Sequence, residues 1–229
     1  MSKTIVVTGA TSGLGLALVT ALKSEEYEPI LTGRCAEKVK NLSAELGVPG
    51  YWLDVSDPQS IASASADITL AHGPVYGLVN NAGIWLEGDF ETCTPHDIQS
   101  VIDTNTTGTI LTTHAFLPQM LERRDGAVIN TVSTGALYCR KTISVYAASK
   151  WAIRGFTGCL EVECAPKGVR VMGFYPGKID TSMYETAGVE RNLEIAMSPE
   201  QASAMVLTML KDRDMVWSNV TGRSIRDYQ

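Results

Sequence analysis

The chain has 229 residues, 45% of them apolar, and 19 basic against 25 acidic side chains give a formal net charge of −6. That length and apolar share suit one large core and a single domain over 1–229. An acidic, evenly mixed surface without a basic run excludes nucleic acid as a main partner, and the longest apolar stretches are too short to span a bilayer. Met1-Ser-Lys-Thr leads straight into a strand-like run, which leaves no room for a signal peptide. Five cysteines (35, 93, 139, 159 and 164) are odd in number and never spaced Cys-x-x-Cys. They read as reduced, mostly packing residues of a cytoplasmic protein. Histidines 72, 96 and 114 form no ligand-spaced pair, so no metal is expected.

Residues 4–8 are short, β-branched and apolar, as a fully buried strand is. Gly9-Ala-Thr-Ser-Gly13-Leu-Gly15 follows, then a helical run from Leu14 to Lys23. Strand, glycine turn and helix in that order make a phosphate cradle: the glycines let backbone approach the anion, and free N–H groups at the helix start bind it. The other reading of three glycines is a merely flexible turn. A second strand, 29–32, ends at Gly33-Arg34, where an acid normally binds the ribose 2′-hydroxyl of NAD. No acid stands there, and the planar fork of Arg34 suits a 2′-phosphate. NADP(H) is therefore favoured, with NAD(H) left open.

Residues 36–46 read as a helix closed by Gly47, 51–54 as a third strand, and Asp57-Pro58 as the cap and first turn of the next helix. A fourth strand, 78–80, leads into Asn80-Asn-Ala-Gly83. Thr94-Pro-His-Asp97 launches a long helix to about 121. Asn105 lies inside it among the poor helix formers Thr104, Thr106, Thr107 and Gly108. That weak place is either tolerated irregularity or a carbonyl left free for water. Apolar 127–132 reads as a buried parallel strand, and such strands deliver polar groups at their carboxyl ends.

Ser133 stands at that end, thirteen positions before Tyr146, and Lys150 follows four residues later on the same helical face. A phenol titrates near 10, and bringing it close to 7 takes roughly 4 kcal/mol. One ammonium about 4 Å away supplies a comparable amount at an effective dielectric near 20. Ser133 is placed to orient a substrate oxygen while Tyr146 exchanges its proton. Taken alone, the pair also fits an ordinary half-buried phenol and a solvated amine. The helix continues over 147–165, and 169–174 gives a sixth strand ended by Pro176-Gly177. Residues 182–197 lack a clean period and are either a surface loop or a lid. Ser198-Pro-Glu-Gln201 opens a last helix with a capping-box pattern, and 220–225 reads as a short final strand. Alternating strands and helices predict an α/β fold: a doubly wound, mostly parallel sheet of about seven strands with helices on both faces.

In order, Thr8-Gly9-x-x-x-Gly13-x-Gly15, Asp54-Val55, Asn80-Asn-Ala-Gly83, Asn105, Ser133, Tyr146-x-x-x-Lys150 and Pro176-Gly177 with Thr181 resemble the short-chain dehydrogenase/reductase family over nearly the whole chain. The resemblance implies a Rossmann-type dinucleotide fold and hydride transfer between nicotinamide and a carbonyl or secondary alcohol. It makes Tyr146 the general acid/base, has Lys150 hold the nicotinamide ribose and depress the tyrosine, and lets Ser133 steady the substrate carbonyl. Asn105 anchors a relay water. Thr11, Ser12 and Leu14 join the three glycines, Asp54, Val55, Asn81, Ala82 and Gly83 around the cofactor, and Pro176, Gly177, Ile179 and Thr181 hold its nicotinamide end. At Ser12 some NADP-preferring members carry a second cation. Trp85, Leu137, Tyr138, Ile143 and Tyr184 fall on segments able to edge a pocket for a small-molecule carbonyl or alcohol. A homodimer through the helices near 95–121 and 147–165 is the family habit, with a tetramer the larger alternative. Two further readings are a non-catalytic dinucleotide sensor or scaffold, which usually lacks the tyrosine or lysine, and a nucleotide-sugar epimerase or dehydratase, which wants a larger substrate domain.

Overall fold

The computed structural model describes residues 3–25 and 27–228. Its strands are β1 (Lys3–Val7), β2 (Tyr27–Gly33), β3 (Gly50–Trp52), β4 (Gly77–Asn80), β5 (Gly126–Thr131), β6 (Val169–Pro176) and β7 (Asn219–Gly222). They form one parallel sheet in the order β3-β2-β1-β4-β5-β6-β7. The helices are α1 (Gly13–Lys23), α2 (Ala36–Leu46), α3 (Pro58–His72), α4 (Pro95–Ile102), α5 (Gly108–Arg123), α6 (Ser144–Cys164), α7 (Met183–Thr186) and α8 (Pro199–Lys211).

Strand side chains alternate between faces with a period of two, and each face must bury its apolar set. Ile5, Val7, Leu31, Val79, Ile129 and Phe174 pack with α1, α2 and α8. Val6, Ile30, Leu78, Val128 and Val171 pack with α3, α5 and α6 on the other side. Helices therefore cover both faces, and β6 is buried along its whole length, Arg170 included. The strand order reverses between β1 and β4. At that switch point the carboxyl ends of neighbouring strands splay apart and leave a crevice. Thr8 ties the two sides together, its hydroxyl oxygen accepting from the Asn81 and Ala82 N–H groups, both at 3.0 Å.

The local signals at helix ends hold. Asp57 accepts from Gln59 N–H, capping boxes form at Thr94/Asp97 and Ser198/Gln201, and Gly47 closes α2 at φ +59°. Three expectations need correction. The long helix over 95–121 is two helices joined by a π-helical turn, Asp103–Thr107, with the Gly108 N–H reaching the Asp103 carbonyl. The bulge follows from Asn105, whose amide turns inward to bond Ile84 and Ser149, and from Gly108, where an added Cβ would stand 2.5 Å from the Val55 carbonyl oxygen. The last strand stops at Gly222, and Ile225 falls in a 3₁₀ turn. Among the five cysteines only Cys164 is buried and Cys93 is half-buried, while Cys35, Cys139 and Cys159 are exposed and do not serve packing.

Candidate active site

A cleft of about 660 Å³ opens at the crevice between the ends of β1 and β4. One end of it is the glycine turn. Gly9 and Gly13 adopt left-handed backbone, φ +62° and +52°, that side chains rarely accept. A Cβ on Gly9 would lie 2.8 Å from Ala82 Cα, and one on Gly15 would meet the Gly9 carbonyl and, at 2.7 Å, the Asn81 amide nitrogen. Ser12 caps α1 without a side-chain hydrogen bond, and the first turn of α1 holds no acid. Its first N–H groups are thus left for an anion, reinforced by the helix dipole. Thr11, Ser12, Gly13 and Leu14 line the cleft with Gly9; Gly15 does not, and serves to let α1 approach the turn. Gly15→Ala is expected to cost about 1–3 kcal/mol, as overpacking against backbone does, read as a lowered unfolding temperature.

Arg34, Asp54 and Val55 line the next part of the cleft. The Asp54 carboxylate is fixed by Ser56, whose N–H and hydroxyl donate at 2.9 and 2.7 Å. Asn81, Ala82 and Gly83 line the cleft beside Gly9 and Gly15, and Pro176, Gly177, Ile179 and Thr181 line it from the end of β6, with Thr181 against Gly13. Between them lie Ser133, Tyr146 and Lys150. β5 delivers Ser133 just past its end, and α6 carries the other two one turn apart on a buried face, 5% and 6% exposed. Gly135 lies beside Ser133 and Tyr146, a Cβ built on it coming within ordinary contact distance, 3.4 Å, of Ser133 Oγ and Tyr146 Cε1. Lys150 Nζ donates to the Thr131 carbonyl at 2.9 Å and sits 5.9 Å from the Tyr146 ring centre.

Comparison with known proteins bears directly on this arrangement. The family model described as short chain dehydrogenase matches residues 3–192. This chain belongs to the short-chain dehydrogenase family. It is 36% identical to a serine 3-dehydrogenase of Rhizobium radiobacter over 217 residues, 91% of this chain and 87% of the relative. Among solved structures, the closed form of a serine dehydrogenase complexed with NADP+ superposes with a TM-score of 0.91 at 28% identity, covering 96% of this chain and 94% of that one. A single-substitution variant of actinorhodin polyketide ketoreductase with NADPH superposes at 0.89 and 28% identity, covering 97% and 96%.

The short-chain dehydrogenase cleft departs from the sequence expectations in several places. Asn105 is fully buried behind its wall: Oδ1 accepts from Ile84 N–H at 2.8 Å, while Nδ2 donates to the Ile84 carbonyl at 3.0 Å and to Ser149 Oγ at 3.1 Å. Its main-chain carbonyl accepts from the Thr109 hydroxyl at 2.9 Å. In this structure Asn105 clamps the π-turn to the Asn81–Gly83 segment and to α6. Leu137 packs into the cluster of Val132, Ala136, Ile153 and Tyr175, and Tyr138 lies outside beneath Arg223, 4.8 Å from its guanidinium; neither lines the cleft. Trp85, Ile143 and Tyr184 do line it.

The electrostatics also differ from expectation. Burial pushes the Tyr146 phenol above its ordinary value; the Ser133 hydroxyl and Arg140 pull it down, and Tyr184 adds to the rise. Burial lowers the Lys150 ammonium to about 8. The anticipated fall of the phenol towards neutrality is absent because its own burial outweighs the pull of Ser133 and Arg140. In the protein by itself the phenol stays protonated at neutral pH.

Sequence reasoning named Trp85 and Tyr184 but missed Lys38 and Arg140, which both line the cleft, and the Glu87–Arg191 pair that holds the roof above Tyr146. Lys38 stands four residues after Arg34, a pairing hidden because α2 starts between them. The roof is Trp85, tilted 48° over Tyr146 with ring centres 4.3 Å apart, and edge-on to Tyr184 at 5.0 Å. Glu87 holds it, accepting from Trp85 Nε1 at 3.0 Å and from one guanidinium nitrogen of Arg191 through both carboxylate oxygens. Nothing in the sequence joins Glu87 to a residue so far along the chain.

Proposed function

We propose that this short-chain dehydrogenase is an NADP(H)-dependent carbonyl reductase, equivalently a secondary-alcohol dehydrogenase run in reverse, with Tyr146 as general acid/base. The observation that carries the reading is the convergence of Ser133, Tyr146 and Lys150 in one cleft with the glycine cradle. The cradle fits a dinucleotide: its glycines leave no room for Cβ atoms, and the α1 N-terminus is uncapped. Gly9, Gly13 and the start of α1 would take the diphosphate, Asp54 and Val55 the adenine side, and Asn81–Gly83 with Pro176–Thr181 the nicotinamide side. The bound dinucleotide supplies the hydride. Ser133 steadies the substrate oxygen, and Tyr146 gives or takes the proton there. Because burial holds the phenol protonated, it is suited to donate at neutral pH. Reduction therefore persists through neutrality, while oxidation, which needs the phenolate, gains rate as pH rises.

Arg34 with Lys38 supports NADP(H) over NAD(H). The two cations line the same end of the cleft, so Lys38 supplies the second positive charge that Ser12 does not. Arg34→Asp is expected to shift the NADPH/NADH ratio of kcat/KM towards NADH by about 10- to 100-fold, the size of one lost charge-assisted pair. An unchanged ratio removes Arg34 from cofactor choice. The α7 region, 182–197, acts as a lid, its Tyr184 and Arg191 tied to the Trp85–Glu87 segment. The expected homodimer is supported by Trp151 and Val162, both exposed on α6, and sedimentation tests it. The deciding experiment is NADPH absorbance across a panel of ketones and aldehydes. No turnover with any of them would leave only the sensor or scaffold reading.

A further inference from the structure

Around the reacting end of the cleft nearly every charge already has a partner. Lys150 is held by the Thr131 carbonyl, and Lys178 is ion-paired with Asp227 at 2.9 Å. Glu87 is shared among Arg191, Trp85 and Thr142. Arg140 is the exception. It lies in the loop between the 3₁₀ turn Thr134–Ala136 and α6, and lines the cleft beside Ser133, Ile143, Tyr146 and Tyr184. Among the described residues its side chain has no hydrogen bond or ion pair, yet its charge reaches both Tyr146 and Tyr184 and opposes the burial that raises both phenols. Arg140 is exposed at the mouth of the cleft, and the cleft groups its charge acts on are the Tyr146 and Tyr184 phenols, which do not balance a guanidinium. The carboxylates near Tyr184, Glu87 and Asp227, are held by Arg191 and Lys178. Lys141, the next cation in the loop, does not line the cleft.

We propose that Arg140 is a specificity-determining residue that holds an anionic group, a carboxylate or a phosphate ester, on the substrate whose carbonyl is presented to Ser133 and Tyr146. The inference rests on the carbonyl-reductase reading and names its substrate class. A planar guanidinium with five donors matches the paired oxygens of either anion. The Trp85–Tyr184 roof limits the remainder of the substrate to a small, largely apolar frame. Such a site distinguishes a charged carbonyl compound from its neutral counterpart, because the neutral compound leaves Arg140 unpaired.

The test uses two matched pairs with NADPH: acetoacetate against methyl acetoacetate, and dihydroxyacetone phosphate against dihydroxyacetone. In the wild type the anion of at least one pair is preferred, and the identity of that pair separates carboxylate from phosphate. In Arg140→Ala the charged-to-neutral ratio of kcat/KM for that pair falls about 10- to 100-fold. Arg140→Lys falls less, and Lys141→Ala keeps the wild-type ratio. Equal ratios in wild type and Arg140→Ala, or an equal fall with Lys141→Ala, overturn the proposal. Calorimetric titration of the NADP+-loaded proteins with the two anions reads the site without turnover. Anion binding that is lost in Arg140→Ala, with no turnover in the wild type, supports Arg140 while overturning the reductase reading. Equal binding by both proteins, or binding by neither, overturns the Arg140 site itself.

Discussion

Tyr146→Phe is expected to lower kcat by about 10³-fold or more, while NADPH affinity stays within about twofold of wild type. The substitution removes one oxygen and leaves the ring. The ring is what Trp85 packs against at 4.3 Å, and what fills the space beside Gly135. The roof and the wall of the cleft therefore stay in place, so lost turnover cannot be traced to collapse. The Lys150–Thr131 bond does not involve the phenol and also remains. What disappears is the phenolic proton beside Ser133, and Ser133 is a poor substitute because an aliphatic hydroxyl is a much weaker acid than a phenol. A positioned proton donor is typically worth about 10²–10⁴-fold, and the larger figure is expected where water is excluded. The measurement is steady-state kinetics with NADPH binding followed separately by fluorescence. A Phe variant that turns over within tenfold of wild type would sink the assignment of the proton to Tyr146.

How far the sequence could be read depended on the distance over which each signal acts. The first six strands, the caps at Asp57, Thr94 and Ser198, and the Gly47 closure are set by neighbours within a few residues, and these were legible. The glycine turn and the Tyr146/Lys150 pair were legible for the same reason, since strand, turn and helix spacing is local. The π-turn was visible only as a weakness, because the groups that pull Asn105 inward belong to Ile84 and Ser149, far off in the chain. Trp85 and Tyr184 were named as pocket-edging, but what holds them was unreadable: Glu87 meets Arg191 only after the sheet has brought 182–197 back over the cleft. Charge at the site failed differently. Spacing places a lysine near a phenol, but it does not report that both are buried, and burial decides the direction in which each titrates. Leu137 and Tyr138 show the remaining limit, for a loop beside a site turns some side chains into the cleft and others into core or solvent.

Lys150→Met is expected to stabilise the protein in the absence of dinucleotide and to remove its turnover. The gap between an ordinary lysine at 10.5 and about 8 in the fold measures the cost of burying the ammonium, roughly 3 kcal/mol. Methionine fills much the same volume without a charge, and loses only the bond to Thr131, about 1 kcal/mol. The net gain is about 1–2 kcal/mol, or about 3–6 °C in unfolding temperature for a chain of this size. The sign of the pH dependence gives a sharper check. Between about 8 and 10.5 the unfolded chain holds this proton and the folded chain has released it. Stability therefore rises with pH through that window, and the full cost is felt below it. In Lys150→Met that part of the rise vanishes, so the variant's advantage is largest at about pH 7 and shrinks towards pH 10.5. Denaturant unfolding of both proteins at several pH values measures the difference directly. An advantage that is absent near neutral pH, or that stays constant through the window, would mean that the lysine is not buried as a charge. The proposed function gives a reason to keep a destabilising group: in the role that the family resemblance implies, the buried ammonium beside Thr131 would bind the nicotinamide ribose, whose oxygens would return the hydrogen bonds that burial took away.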